Sequence, residues 1–192
     1  MSQHNSGVNW RRVAAIACGM ALALPSWAQD SSVLVGVVTA VTDGDAIKVQ
    51  LGTGPIAVRL ANVDAPEPRQ PGGAEARKAL TDRIIGEEIS LDLSTQNGEG
   101  RLVAVVYLRD ENINAWLVKQ GHAWAYRQYA NSPEYCVLEN AARSLRRGLW
   151  AREEFLAPWE WRQGGRGKAI RYTNYSRETV AGCIAAMKVD EA

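Results

Sequence analysis

Three runs of branched aliphatic residues follow one another between Val33 and Asn62 with almost nothing between them: VLVGVVTAVT, AIKVQL and IAVRLANV. The intervening residues are Asp43-Gly44 and Gly52-Thr53-Gly54-Pro55, all of them turn formers. Connections this short cannot carry the crossover that parallel strands need, so the three runs are expected to pair as an antiparallel meander. After the proline-rich stretch DAPEPRQPGG, the segment AEARKALTDRII places Ala76, Ala79, Leu80, Ile84 and Ile85 near helical spacing, and Gly86 stops it. ISLDL and RLVAVVYL read as two further strands, separated by the polar loop STQNGEG. Asn112 can cap a helix over INAWLVKQ, and Ser132-Pro133-Glu134 opens a longer one over EYCVLENAARSLRR.

Three strands, a helix, two strands and two helices do not make a doubly wound sheet, which needs a helix between each strand pair. The order predicts an α+β chain that is mainly β: a five-stranded antiparallel barrel of the oligonucleotide/oligosaccharide-binding (OB) type with three helices. The domain is expected over residues 33–150. Residues 151–192 read as a C-terminal tail with a short helical candidate around TVAGCIAAM.

The first 28 residues read as an address. Arg11 and Arg12 precede an apolar run from Val13 to Leu24, and Ser26-Trp27-Ala28 has the small-x-small pattern of a signal peptidase site. The run is too short to span a bilayer. Export to the periplasm or medium is therefore expected, as a protein free of the membrane after cleavage. The remaining chain can bury a sufficient core on its own, so a monomer is expected.

The whole chain carries 22 Lys and Arg against 21 Asp and Glu. Removing residues 1–28 deletes Arg11 and Arg12 and no acid, leaving 20 basic against 21 acidic residues. Bulk charge therefore does not announce a nucleic-acid binder, and any grip on phosphate must come from local placement of Arg and Lys. Cys18 goes with the leader, which leaves Cys136 and Cys183 in an oxidising compartment. One bridge tethering the tail fits the even count; two buried thiols are the alternative.

Two acid clusters lie where loops can converge, Asp43-Gly44-Asp45 at a turn and Asp64-Ala65-Pro66-Glu67 beyond the third strand. Hard cations prefer carboxylate and carbonyl oxygen, which such loops can supply. Asp-Gly is also ordinary turn chemistry. Arg59 interrupts an apolar strand, and Arg101 follows Gly100 at the start of the last strand. Each is a planar fork able to hold phosphate if it points inward, and a surface residue if it does not. His122, the one histidine beyond the leader, stands apart from the acids, which argues against zinc or histidine chemistry.

In their order and spacing, DGD, VRLANVDAPE and the Gly100-Arg101 strand start, with KQGHAWAY and RRGLW beyond, resemble the thermonuclease (staphylococcal nuclease-like) family from about Val35 to Trp150. The resemblance implies a five-stranded barrel with three helices, calcium as cofactor, and hydrolysis of DNA or RNA to 3'-phosphate ends with low sequence specificity. By position it makes Asp45, Asp64 and the carbonyl of Ala65 calcium ligands. Glu67 falls on the carboxylate that orients the attacking water, Arg59 and Arg101 on the arginines that hold the scissile phosphate, and Asp43 on a supporting acid. Tyr126 and Tyr129 fall close to tyrosines that meet the nucleotide, and aromatic faces stack on any base. Two features depart from the family: the loop before Arg101 reads QNGEG, without the usual acid and aromatic, and Ala65 stands where threonine is common.

Trp124, Trp150, Trp159 and Trp161 are expected to pack in the core or against the tail, and Arg146, Arg147, Arg166 and Lys168 to form a weak basic rim. The competing reading is a nucleic-acid-binding barrel without catalysis. The presence of all five charged positions favours the enzyme.

Overall fold

The computed structural model describes Met1, residues 33–96 (side chains to residue 93), 101–153, 155–164, 175 and 178–187. Residues 2–28 of the expected signal peptide, Arg166 and Lys168 lie outside the described residues. The meander forms as β1 (Leu34–Asp43), β2 (Ala46–Leu51) and β3 (Gly54–Leu60), joined by the two expected turns. A two-residue strand β4 (Val63–Asp64) precedes helix α1 (Gly73–Ile84). Then come β5 (Glu88–Gln96), β6 (Leu102–Leu108), β7 (Glu111–Asn112) and helix α2 (Ile113–Lys119). The sheet runs β3-β2-β1-β5-β6-β7 and is closed into a barrel by a β3–β6 pairing.

That closing seam is parallel, with Val58 opposite Leu102 and Leu60 opposite Ala104, so the barrel is mixed rather than wholly antiparallel as expected. Parity requires it. Strands that alternate in direction around a ring of five cannot all be antiparallel, and one neighbouring pair must share a direction. The seam falls between the strands separated by α1 and β5, where the chain has length enough to return.

Inside the barrel, Val38, Ile47, Val49, Val58, Leu60, Ile89, Leu91, Ala104 and Val106 meet with essentially no exposure. The strict in–out alternation along β6 follows from the two-residue period of a half-buried strand. Helix α1 turns Ala76, Leu80 and Ile84 onto this core, as its spacing predicts. Helix α2 adds Ile113, Leu117 and Val118. Its cap is the expected one, with Asn112 accepting from the Ala115 amide.

The third strand does not run on to Val63. It breaks at Ala61 and Asn62, where Asn62 takes φ 66, a left-handed conformation that asparagine tolerates better than most residues. The Asn62 side chain accepts from the Asn131 amide at 3.1 Å, and its carbonyl accepts from the Tyr126 amide at 2.9 Å. The break lets β4 leave the barrel and pair with a second short strand, β8 (Trp124–Ala125), Asp64 lying opposite Trp124.

Helix α3 (Glu134–Ser144) follows, then a 3-10 turn at Gly148–Ala151. The segment read as a tail contributes two helices beyond the three of the barrel, α4 (Pro158–Gly164) and α5 (Val180–Ala186). Cys136 on α3 and Cys183 on α5 form a disulfide with their Cα atoms 5.8 Å apart. Trp124 sits fully buried at the centre of an aromatic cluster, with ring centroids of Trp150, Tyr175, Trp159 and Phe155 at 4.5, 5.0, 5.5 and 5.9 Å. A buried ion network completes this layer: Arg127 grips Glu139 through two bonds of 2.7 Å and also holds Glu178, while Arg143 reaches the same two acids. The paired charges satisfy each other where a lone one would be costly. Among the described residues no helix is long and apolar enough to cross a membrane.

Candidate active site

The β1–β2 turn, the end of β3 and the loop that follows β4 converge beside the parallel seam. Asp43 Oδ1 accepts from the Gly44 amide at 2.7 Å, an Asx-type closure that occupies Asp43 within its own turn. Gly44 has packing reasons to lack a side chain, since a Cβ there would stand 2.7 Å from Ala65 Cβ and 2.9 Å from Ala76 Cβ. This close approach carries Asp45 against the second loop. Its Oδ2 accepts from the Ala65 amide at 3.1 Å, and its backbone oxygen accepts from the Leu60 amide at 2.9 Å.

Arg59 comes from β3, opposite Ala46 on one side and Val103 on the other. Its guanidinium points to the acids: one terminal nitrogen lies 3.3 Å from Asp45 Oδ2 and 3.2 Å from Asp64 Oδ1. Asp64, delivered by β4, has no exposed side-chain surface. Ala65 is buried beside it, and Glu67 is partly exposed at the rim. The Glu67 loop is clamped from both sides. Gln70 Oε1 accepts from the Glu67 amide at 3.1 Å, and a Cβ on Gly73 would come within 2.0 Å of the Glu67 carbonyl, so α1 starts directly against this backbone.

Asp45, Asp64, Arg59 and Glu67, nominated from sequence, are thus neighbours in space. Arg101 is exposed at the start of β6, two residues before Val103, the register partner of Arg59; residues 97–100 of its loop lie outside the described residues. Tyr126 is half-buried at the site edge with its ring centroid 5.0 Å from that of Tyr129, which is 71% exposed. His122 packs against Trp116 with centroids 5.9 Å apart, away from these groups.

Sequence reasoning missed Arg162. It extends from α4 and forks onto Asp64, with its two terminal nitrogens 3.0 Å from Oδ1 and 2.8 Å from Oδ2, and donates to Glu67 Oε1 at 2.9 Å. The available signal is Pro158-Trp159-Glu160-Trp161-Arg162, a proline-started turn whose two tryptophans point to packing and say nothing of the arginine beside them. Trp159 stacks near-parallel on Tyr126 at 6.0 Å and meets Trp124, which seats α4 over the site. Gln70 joins the same arrangement by donating to the Leu156 carbonyl at 2.7 Å.

Burial pushes the Asp45 carboxyl up to about 7, with Arg59 opposing and Asp64 and Asp43 adding to the rise. Burial also raises Asp64 against the pull of Arg162 and Arg59, and raises Asp43. Bonding to Asp64 and then Glu67 raises Arg162. Among the described residues, the four acids Asp43, Asp45, Asp64 and Glu67 lie around the guanidinium groups of Arg59 and Arg162. Carboxylate and carbonyl oxygens gathered in this way are the hard donors that a divalent cation prefers. Among the described residues no three His, Cys, Asp or Glu side chains form a ready ligand shell, because the acids here are gathered around guanidinium groups instead of one point.

Residues 57–152 match the family described as staphylococcal nuclease homologue. The chain is 37% identical to Protein ParB of Escherichia coli over 163 residues, covering 79% of this chain and 90% of that protein. It is 34% identical to a micrococcal nuclease of Shigella flexneri over 166 residues, 81% of this chain and 93% of that one. An uncharacterized endonuclease of Haemophilus influenzae is 38% identical over 127 residues, 66% and 71% of the two chains. With the mixed five-stranded barrel in place and the likeness running along most of these relatives' length, the chain belongs to the staphylococcal nuclease homologue family and is a nuclease, hydrolysing the phosphodiester bonds of nucleic acid.

Proposed function

We propose that this nuclease is exported, requires calcium and cuts DNA or RNA with little regard to sequence, leaving 3'-phosphate ends. The observation that carries the reading is the convergence of two nearly buried carboxylates, Asp45 and Asp64, on one nitrogen of Arg59, with Glu67 alongside. Asp45, Asp64 and the carbonyl of Ala65 would hold the ion. Calcium, when bound, adds positive charge where a phosphate oxygen gains negative charge.

The chain's own groups do the remaining work. Glu67, at the exposed rim of the acid cluster, orients a water for in-line attack and accepts its proton. Arg59 and Arg101 offer planar donor forks that bind the phosphate more tightly as its charge grows, which lowers the barrier selectively. Tyr129 presents its exposed ring to bases without reading their edges, with Tyr126 packed beside it under Trp159 and Arg162, which accords with low sequence specificity. No covalent intermediate is needed. The enzyme acts as a monomer free of the membrane.

Purified protein is incubated with single-stranded DNA, duplex DNA and RNA, in calcium or in chelator. Cleavage in calcium alone is expected, with new 3' ends that a polymerase extends only after phosphatase treatment. Equal cleavage in chelator, or ends extended without phosphatase, would refute the calcium and product assignments in turn. Export, supported by the leader at residues 1–28 and the Cys136–Cys183 disulfide, predicts mature protein beginning at Gln29 outside the cytoplasm. A full-length cytoplasmic product would refute it.

A further inference from the structure

Arg162 occupies the oxygens that the metal reading assigns elsewhere. Its guanidinium takes both carboxylate oxygens of Asp64 and one of Glu67, at 2.8 to 3.0 Å. Asp64 Oδ1 already accepts from Arg59 as well, so two guanidinium groups share one buried carboxylate. The contact is built rather than incidental. Helix α4 is seated by Trp159 on Tyr126 and Trp124, by Glu160 Oε1 accepting from the Tyr175 hydroxyl at 3.4 Å, and by the Gln70 link between Leu156 and the Glu67 loop. Arg162 lies over the Tyr126 ring, 6.0 Å from its centroid, and its side chain remains 35% exposed, so it has solvent to move into.

A fork that pairs both oxygens of a carboxylate and a cation that draws on the same oxygens compete for the same lone pairs and the same charge. We propose that Arg162 is a built-in counter-cation of the nuclease site, holding Asp64 and Glu67 in the metal-free protein, and that a divalent cation must displace it from Asp64 to bind. This rests on the calcium reading of the same acids. The C-terminal segment then belongs to the site as a regulator of metal occupancy, coupling the seat of α4 to the affinity for the ion.

Full mature protein and its Arg162→Gln and Arg162→Lys variants are titrated with calcium alone, without nucleic acid, by isothermal calorimetry and by thermal melting. Arg162→Gln is expected to melt lower than the wild type without metal and to bind calcium about tenfold more tightly. Its melting temperature should also rise further on saturation than the wild type's. Arg162→Lys, which keeps the charge but loses the fork, should fall between. Unchanged or weaker calcium binding in Arg162→Gln overturns the proposal and leaves Arg162 as a tether or aligner of Asp64. If the wild type binds and cleaves in calcium while Arg162→Gln binds no more tightly, this proposal alone fails. Absence of calcium binding in all three proteins overturns it together with the calcium reading. Should Arg162→Gln not fold, Arg162→Lys still decides: a calcium affinity no tighter than wild type overturns the proposal.

Discussion

Truncating Asn114 to alanine should show how far one buried amide holds the parallel seam beside the site. Asn114 has no exposed surface. Its amide donates to the carbonyl of Ala61 at 2.8 Å and of Ala104 at 3.1 Å, and its own oxygen accepts from the Val106 amide at 3.0 Å. Ala104 keeps a bond from the Ala61 amide at 2.8 Å, so Ala61 O and Val106 N bear the loss. A buried group deprived of its partner costs about 1–3 kcal/mol, which for these two gives about 2–6 kcal/mol. Against a typical folding stability of about 5–15 kcal/mol, that is a large fraction. Urea unfolding followed by tryptophan fluorescence should give a loss of about 3–5 kcal/mol for Asn114→Ala at an unchanged slope. Because Ala61 lies between Arg59 and Asp64 in the chain, nuclease activity should fade at lower urea than in the wild type. A loss below about 1 kcal/mol would refute the reasoning, since it would mean that water or backbone adjustment replaces all three bonds.

Other substitutions address the chemistry and the framework. Arg59→Ala should lower turnover by about 10²–10³-fold and Glu67→Ala by about 10²–10⁴-fold with native circular dichroism, and wild-type rates in both would place the chemistry elsewhere. Replacing Cys136 and Cys183 together by serine opens a span of 47 residues, which the chain-entropy argument values at about 4 kcal/mol; an unchanged melting temperature would count against it. Burial lowers the His122 pKa, with Glu75 opposing, so the folded protein binds fewer protons than the unfolded chain. The His122 contribution is therefore present above about pH 6.5 and is lost as pH falls below it. The stability difference between wild type and His122→Gln should shift against the wild type between pH 7.5 and pH 5, and a pH-independent difference would contradict the assignment.

The acid cluster explains why single residues in this sequence carry little information. Asp43 closes its own turn, as any Asp-Gly hairpin could, and only Asp45 is turned inward, because Gly44 lets the turn sit against Ala65 and Ala76. Arg59 is one residue of β3 until the break at Asn62 folds Asp64 back within 3.2 Å of it. The aromatic cluster around Trp124 has the same character. Trp124, Trp150 and Trp159 were expected to pack, but their meeting point, and the two arginines Arg127 and Arg143 within 5.7 Å of Trp124, follow from β8, α3 and α4 coming together.

The five barrel strands and the first three helices were legible in the sequence from local physics: two-residue and 3.6-residue periodicity and turn chemistry at Asp43-Gly44 and Gly52–Pro55. Asp45, Arg59, Asp64 and Glu67 were legible as a set only through the family resemblance. Tertiary structure decided the break at Asn62, the seating of α4 and the presence of Arg162 on Asp64, a partner 98 residues away. The residues around Arg162 mark a helix that packs, but not the acid that its guanidinium meets. The pairing exists because Trp159 and Gln70 seat α4 on Tyr126 and the Glu67 loop, so it depends on elements far apart in the chain meeting in the fold.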